Sequence, residues 1–311
     1  MKQLTTEAFA RARQFLRARA RPLERALFEH RFEAAPAVGA LTELASFQNA
    51  DGGFGQALEP DLRTPSSSAL ATGIALRLLL ELGCDDDHLL VQQAIHWLLN
   101  AYDPMERVWR AVPRDGNEHP HAPWWHDERG SLARTFDGFL VIPRAELVGL
   151  FHQVPSLVPG RWLRDITERT VADLETIEPF GSGGGDDLVY ALRLASAPGL
   201  PEPLRARLLA RLRQVVPTVV SRDPAEWDGY CITPLKLAPT PESPVADLIE
   251  DEIQAHLDFL IERQTADGAW DPVWTWGDAY PDDWARARQE WQGELTLGAL
   301  TSLRAWGRLA A

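Results

Sequence analysis

Leu44-Ala45-Ser46-Phe47-Gln48-Asn49-Ala50-Asp51-Gly52-Gly53-Phe54 and Leu260-Ile261-Glu262-Arg263-Gln264-Thr265-Ala266-Asp267-Gly268-Ala269-Trp270 are two copies of one phrase. Each reads Leu, three residues, Gln, Asn or Thr, Ala, Asp, Gly, one residue, aromatic. An apolar helical stretch runs into the Gln, Asp-Gly supplies turn chemistry with a residue suited to left-handed backbone, and a ring follows the turn. A repeated helix-end signature predicts a repeated helical unit. A third stretch, from Trp97-Leu98 through Tyr102 to Trp109, keeps the spacing without the Gln or the Gly and reads as a degenerate copy.

The phrase resembles the QW motif of triterpene cyclases and the related repeat of protein prenyltransferase β subunits. The second copy matches that pattern from Phe259 through Trp270, whereas the first has Phe54 where the Trp would stand. The resemblance implies an all-α protein: a single α/α toroid over residues 1–311, two concentric rings of antiparallel helical hairpins around a cavity. It also implies that the Gln amide bonds backbone at a helix end while the ring stacks over it. The phrase is specific for fold and nearly silent on reaction.

Composition fits a globular chain. Its 311 residues suffice for a large core. No run of about 18 apolar residues occurs, and the start, Met1-Lys2-Gln3-Leu4-Thr5-Thr6-Glu7, lacks a signal-peptide core. A cytoplasmic location is expected. Cys84 and Cys231, the two cysteines, stand far apart, which excludes a disulfide framework and suits a reducing compartment. A formal charge of -14 repels a phosphate backbone, so nucleic acid is not an expected partner. The N-terminal segment departs from this acidity: Arg11, Arg13, Arg17, Arg19, Arg21 and Arg25 accompany Phe9, Phe15, Leu16, Leu23 and Leu27. Such a segment suits either a solvated outer helix or peripheral contact with an anionic membrane.

Two helix types alternate along the chain. Stretches near 161–177, 202–219 and 247–263 are amphipathic and predict outer helices with one wet face. Stretches 66–82, 187–197 and 295–306 are apolar or small nearly all round and predict inner ones. Pro65-Ser66 is expected to open one inner helix and Gly83 to close it, with Pro143 opening another. Alternation of this kind is what two rings require, and at ~12 residues per helix it predicts about ten to twelve helices.

Irregular insertions on a rigid scaffold are where chemistry tends to sit. One is expected at 103–138, containing Asn117-Glu118-His119-Pro120-His121-Ala122-Pro123-Trp124-Trp125-His126-Asp127, and another at 268–292, holding Trp270, Trp274, Trp276, Trp284 and Trp291. Over one mouth they would form an aromatic lid. Imidazoles two residues apart can ligate zinc, but Pro120 and Pro123 are expected to extend the segment and throw His119 and His121 to opposite sides. Hydrogen bonding and packing are the expected roles of this stretch.

Prenyltransferase β subunits hold zinc with Asp, Cys and His. The candidates here, Asp228, Cys231 and His256, fail that family's spacing, with His256 on an outer helix, so zinc is not expected. Asp85-Asp86-Asp87 has the look of a magnesium-diphosphate site, yet it lies between Gly83 and the helix near His88, where capping and solvation explain it. No cofactor is called for, and magnesium is left open.

Protonation-initiated terpene cyclases carry Asp-x-Asp-Asp at the start of an inner helix. Gly181-Ser182-Gly183-Gly184-Gly185-Asp186-Asp187-Leu188 resembles that element with Gly184 in place of the first Asp. The resemblance makes Asp186 and Asp187 the candidate catalytic residues, since protonating an olefin needs a desolvated carboxylic acid and aromatic faces to stabilise the cation. The other reading has Asp186 capping the helix and Asp187 favouring its dipole.

Three functions stand open. An isoprenoid-binding protein, acting as a terpene cyclase, would wall an apolar cavity with Trp124, Trp125, Trp227, Tyr230, Trp274 and Trp276, with His126, Asp127 and Asp228 as its polar groups. A glycan-active (α/α) barrel would use the same rings as sugar platforms and a carboxylate pair for acid-base work. A non-catalytic toroid would bind lipid or protein.

Overall fold

The computed structural model describes residues 1–178, 180 and 185–310, and among them it is helical, with four isolated β-bridges and no strand. Thirteen α-helices follow one another: α1 (Thr6–Ala18), α2 (Pro22–Glu33), α3 (Val38–Ala45), α4 (Ala69–Glu81), α5 (Leu89–Ala101), α6 (Ser131–Thr135), α7 (Arg144–Phe151), α8 (Gly160–Thr176), α9 (Asp186–Ser196), α10 (Glu202–Val219), α11 (Pro234–Leu237), α12 (Glu250–Glu262) and α13 (Pro281–Ala305). The number exceeds the expected ten to twelve because α6 and α11 are short turns of five and four residues inside irregular stretches.

The chain divides into two compact units. One comprises residues 1–43, 183–185 and 213–311; the other comprises 44–182 and 186–212. The divisions fall inside α3 and α10. In the first unit α1, α2 and α13 pack on one another, and α11 packs on α12. In the second, α4 packs on α5 and α7, and α7 packs on α8 and α9.

Both copies of the phrase fold alike. In the first, Asn49 N–H donates to Gly53 O (2.9 Å) and Gly52 N–H to Asn49 O (3.0 Å). In the second, Thr265 N–H donates to Ala269 O (2.9 Å) and Gly268 N–H to Thr265 O (3.0 Å). The Gln amides reach the turn carbonyls, Gln48 Nε2 to Gly52 O at 3.0 Å and Gln264 Nε2 to Gly268 O at 3.1 Å. Gly52 (φ 91°) and Gly268 (φ 93°) occupy the left-handed region that Asp-Gly foretold. After the turn, the aromatic residue's backbone donates to a buried threonine of the next long helix: Phe54 N–H to Thr72 Oγ1 (2.9 Å), and Trp270 N–H to Thr296 Oγ1 (3.1 Å). The degenerate stretch keeps part of this, for Trp109 Nε1 donates to Leu98 O (2.7 Å) as Trp270 Nε1 does to Leu260 O (2.8 Å).

Helix boundaries follow local chemistry. α4 starts later than Pro65-Ser66, because Ser68 is the residue whose Oγ accepts the Ala71 N–H; Gly83 closes it at φ 85° as expected. α7 begins after Pro143, and all eight of its residues are buried. α8, α10 and α12 occupy the amphipathic stretches. The expected irregular insertion at 268–292 is corrected from Pro281 on: Pro281 stands in the first turn and Asp282 and Asp283 favour the dipole, so a 25-residue helix starts there. Its tryptophans fasten residues 270–276 to that helix. Trp274 meets Trp291 edge to face (5.1 Å), Trp276 meets Trp284 (5.7 Å), and Asp271 accepts from Arg288 and Gln292 between them.

No helix among the described residues is long and apolar enough to cross a membrane. The N-terminal arginines pair with carboxylates of the chain itself: Arg13 and Arg17 with Glu33, Arg19 with Asp267, and Arg21 with Glu24.

Candidate functional site

The site is built where α4, α7 and α9 run side by side. Glu146 of α7 is buried and carries a charge that needs compensation. It has two partners: Arg193 Nη1 of α9 lies 2.9 Å from each carboxylate oxygen, and Arg77 Nε of α4 lies 3.0 Å from Oε1. This triad pins the three helices together. One turn before Arg193, Tyr190 lies under that guanidinium, 5.3 Å from its ring centroid. Tyr190 is half-buried, and its hydroxyl titrates far above the ordinary phenol range. Burial is the largest cause; Glu146, Glu59 and Asp186 add to it, and Arg193 opposes it. Carboxylates from three separate chain segments therefore act on one phenol.

Asp186 and Asp187 form the first turn of α9. Gly185, at φ 82°, immediately precedes Asp186, the first residue of α9. Asp187 is 6% exposed, and its Oδ1 accepts the Leu188 N–H at 2.8 Å. Residues 181–184, including Gly184, lie outside the described residues.

Sequence reasoning passed over the segment that brings Glu59 here. Residues 52–68 form an irregular loop, yet most are buried, among them Glu59, Asp61 and Thr64. Polar side chains hold it shut. Asn49 Nδ2 donates to Pro65 O (2.9 Å), Ser67 Oγ to Asp51 (2.8 Å) and Ser66 Oγ to Asp115 (2.6 Å). Across it, Ala122 N–H donates to Asp61 O (2.8 Å) and Arg63 N–H to Pro120 O (3.0 Å). A Cβ on Gly55 would fall 2.2 Å from Ser66 O, and Gln56 (φ 54°) and Ala57 (φ 59°) are left-handed although neither is glycine. Glu59 borders a crevice beside the start of α4 that is too narrow to hold a water molecule. The available signal was Glu59-Pro60-Asp61 set among Gly, Pro and Ser between two helices; its burial could not be read from residue type.

The remaining candidates divide between the two units. In the second, Trp124 is half-exposed, while Trp125 is buried and stacks on Phe136 (5.2 Å). His119 (φ -121°, ψ 157°) and Ala122 (φ -65°, ψ 147°) are extended and His121 bridges Leu62, the extended run expected of this stretch; beyond it Pro123 opens a short 3-10 turn over 123–125 that returns the chain. His126 Nδ1 then lies 3.0 Å from His121 Nε2, while His121 Nδ1 lies 2.6 Å from His119 O. The centroids are 5.2 Å apart with planes 10° from parallel, the geometry of an in-plane imidazole–imidazole hydrogen bond. Asp127 accepts the Leu132 N–H (3.2 Å) at the start of α6. In the first unit Trp227 is buried against His256 (4.8 Å) and Phe259 (5.4 Å), Asp228 pairs with Arg263 (2.6 Å), and Tyr230 is exposed beside Lys236. Trp274 and Trp276 serve the packing on α13.

His256 is thus boxed by rings, and Cys231 Sγ lies 3.4 Å from Glu226 O. Among the described residues, Asp85, Asp86 and Asp87 alone place three ligand atoms near one another. They precede α5, where the Asp87 N–H donates to Asp85 (3.1 Å). Comparison with protein-family models, with curated proteins and with solved structures gave no match.

Proposed function

We propose that the protein is an acid-initiated enzyme on an α/α toroid of the terpenoid-cyclase and prenyltransferase kind, with a linear isoprenoid as substrate. A carboxyl O–H in the first turn of α9 transfers its proton to a substrate double bond; the new C–H bond leaves a carbocation and a carboxylate, and the same carboxylate or a neighbour later takes back a proton. One observation supports the reading above the others: Glu59, Glu146 and Asp186, from three segments, all act on Tyr190 in the second turn of α9. Carboxylates gathered at one helix, alongside the two guanidiniums that pair with Glu146, offer charge to a cation formed beside them. The shared hydrogen bonds of the two phrase copies support the scaffold.

A glycan is the second reading. Its support is the polarity of the same neighbourhood, because Glu59, Glu146 and Asp186 suit sugar hydroxyls and an oxocarbenium ion as well as they suit an olefin. Incubation with linear isoprenoids, free and as diphosphates, and with oligosaccharides, followed by mass spectrometry, separates the two. Cyclised isoprenoid products support the first reading, and shortened oligosaccharides support the second. Turnover of neither would count against acid-initiated chemistry.

A further inference from the structure

Five Asp-Gly pairs occur in the chain, at 51–52, 115–116, 137–138, 228–229 and 267–268. In such a pair the glycine nitrogen can close on the aspartate side chain, because no Cβ stands in its way. Hydrogen bonds of the fold oppose this at four of the five. Gly52, Gly116, Gly229 and Gly268 each commit their N–H to a backbone carbonyl, at Asn49 (3.0 Å), Pro113 (3.0 Å), Glu226 (2.9 Å) and Thr265 (3.0 Å). Their aspartates are held as well: Asp51 by Ser67 and Trp97, Asp115 by Ser66, Asp228 by Arg263, and Asp267 by Thr265 and Arg19. The fifth pair differs at both atoms. Asp137 and Gly138 are exposed, and among the described residues no acceptor takes the Gly138 N–H and no donor meets the Asp137 carboxylate. A Cβ added to Gly138 would meet nothing within 4 Å, so the pair stands open to solvent. Its backbone is strained besides: Asp137 (φ 47°) and Phe139 (φ 63°) are left-handed on either side of Gly138, a conformation that residues with a Cβ disfavour.

We propose that Asp137-Gly138 is a site of spontaneous backbone modification, converting through a cyclic imide to isoaspartate. The Gly138 nitrogen attacks the carbon of the protonated Asp137 carboxyl; a C–N bond forms, the C–OH bond breaks, and the hydroxyl leaves as water with the amide proton. Water then opens the imide at either carbonyl, restoring aspartate or leaving a β-linked residue with a free α-carboxylate. The β-linkage adds one methylene to the main chain between Phe136 and Phe139, whose rings stack at 6.4 Å, with Phe136 on Trp125 at 5.2 Å. The full chain is incubated folded in neutral buffer and unfolded in urea, until the sample in urea is measurably modified. Proteolytic digestion and fragmentation mass spectrometry then distinguish the imide, lighter by one water, and the two linkages at each pair. Normalised to its own rate in urea, the 137–138 pair of the folded chain is expected to react at least about fivefold faster than any other, because each of those must first break a hydrogen bond. Asp137→Glu, which cannot close a five-membered ring, should abolish the modification at this position and leave the other four pairs as they were. Equal normalised rates at all five pairs, a faster reaction at another pair, or an unmodified 137–138 pair in the folded chain would overturn the proposal.

Discussion

Trp270 is held by two bonds, its indole N–H by Leu260 O and its backbone N–H by Thr296, and only 4% of it reaches solvent. Trp270→Ala should therefore destabilise the protein by about 3 kcal/mol, and Gln264→Ala by about 1 kcal/mol through loss of a helix-end hydrogen bond. Urea denaturation of both variants checks this; a Trp270 variant as stable as the parent would mean that the ring contributes little. His256 allows a pH prediction. Burial lowers its pKa to about 4, from an unfolded value of 6.5. The unfolded chain then binds the extra proton first, so the contribution of neutral His256 is complete above pH 6.5 and is lost as pH falls toward 4. Between pH 7 and pH 5 the loss should be about 2 kcal/mol, and His256→Leu should remove that part of the pH dependence. Equal slopes in the two proteins would refute the assignment.

At the scale of elements, the two phrase copies make a paired prediction. Thr72→Val and Thr296→Val each remove the acceptor of a buried backbone N–H, and each should cost about 1 to 2 kcal/mol by urea midpoint. A cost at one site only would break the equivalence of the copies. The buried loop offers the opposite sign. Ala57→Gly should stabilise by about 1 kcal/mol because Ala57 is left-handed, whereas Gly55→Ala drives a Cβ into the Ser66 carbonyl and should unfold the loop. These elements also mark how far the sequence could be read. α4, α8, α10 and α12 were legible because their apolar spacing and stop signals agree. The first half of α13 was not, since its tryptophans masked a proline-and-aspartate start. Of the residues grouped at the candidate site, only Asp186 and Asp187 were named from the sequence. Glu59 belongs to a loop whose burial depends on partners at Asn49, Asp51 and Asp115, and Glu146 gains its meaning from Arg77 and Arg193 on other helices. Contacts of that range leave no local pattern.

For the molecule as a whole, the central claim is that the start of α9 carries the acid of a reaction and is not merely a well-formed helix end. Asp187→Asn keeps shape and volume and removes the transferable proton, while the amide oxygen can still accept the Leu188 N–H. The decisive measurement compares product formation from a linear isoprenoid by the parent and by Asp187→Asn, with thermal unfolding of both proteins alongside. The account predicts that turnover falls at least ~100-fold while the unfolding midpoint moves by no more than a few degrees. A variant that folds as the parent does and turns over as fast would contradict it.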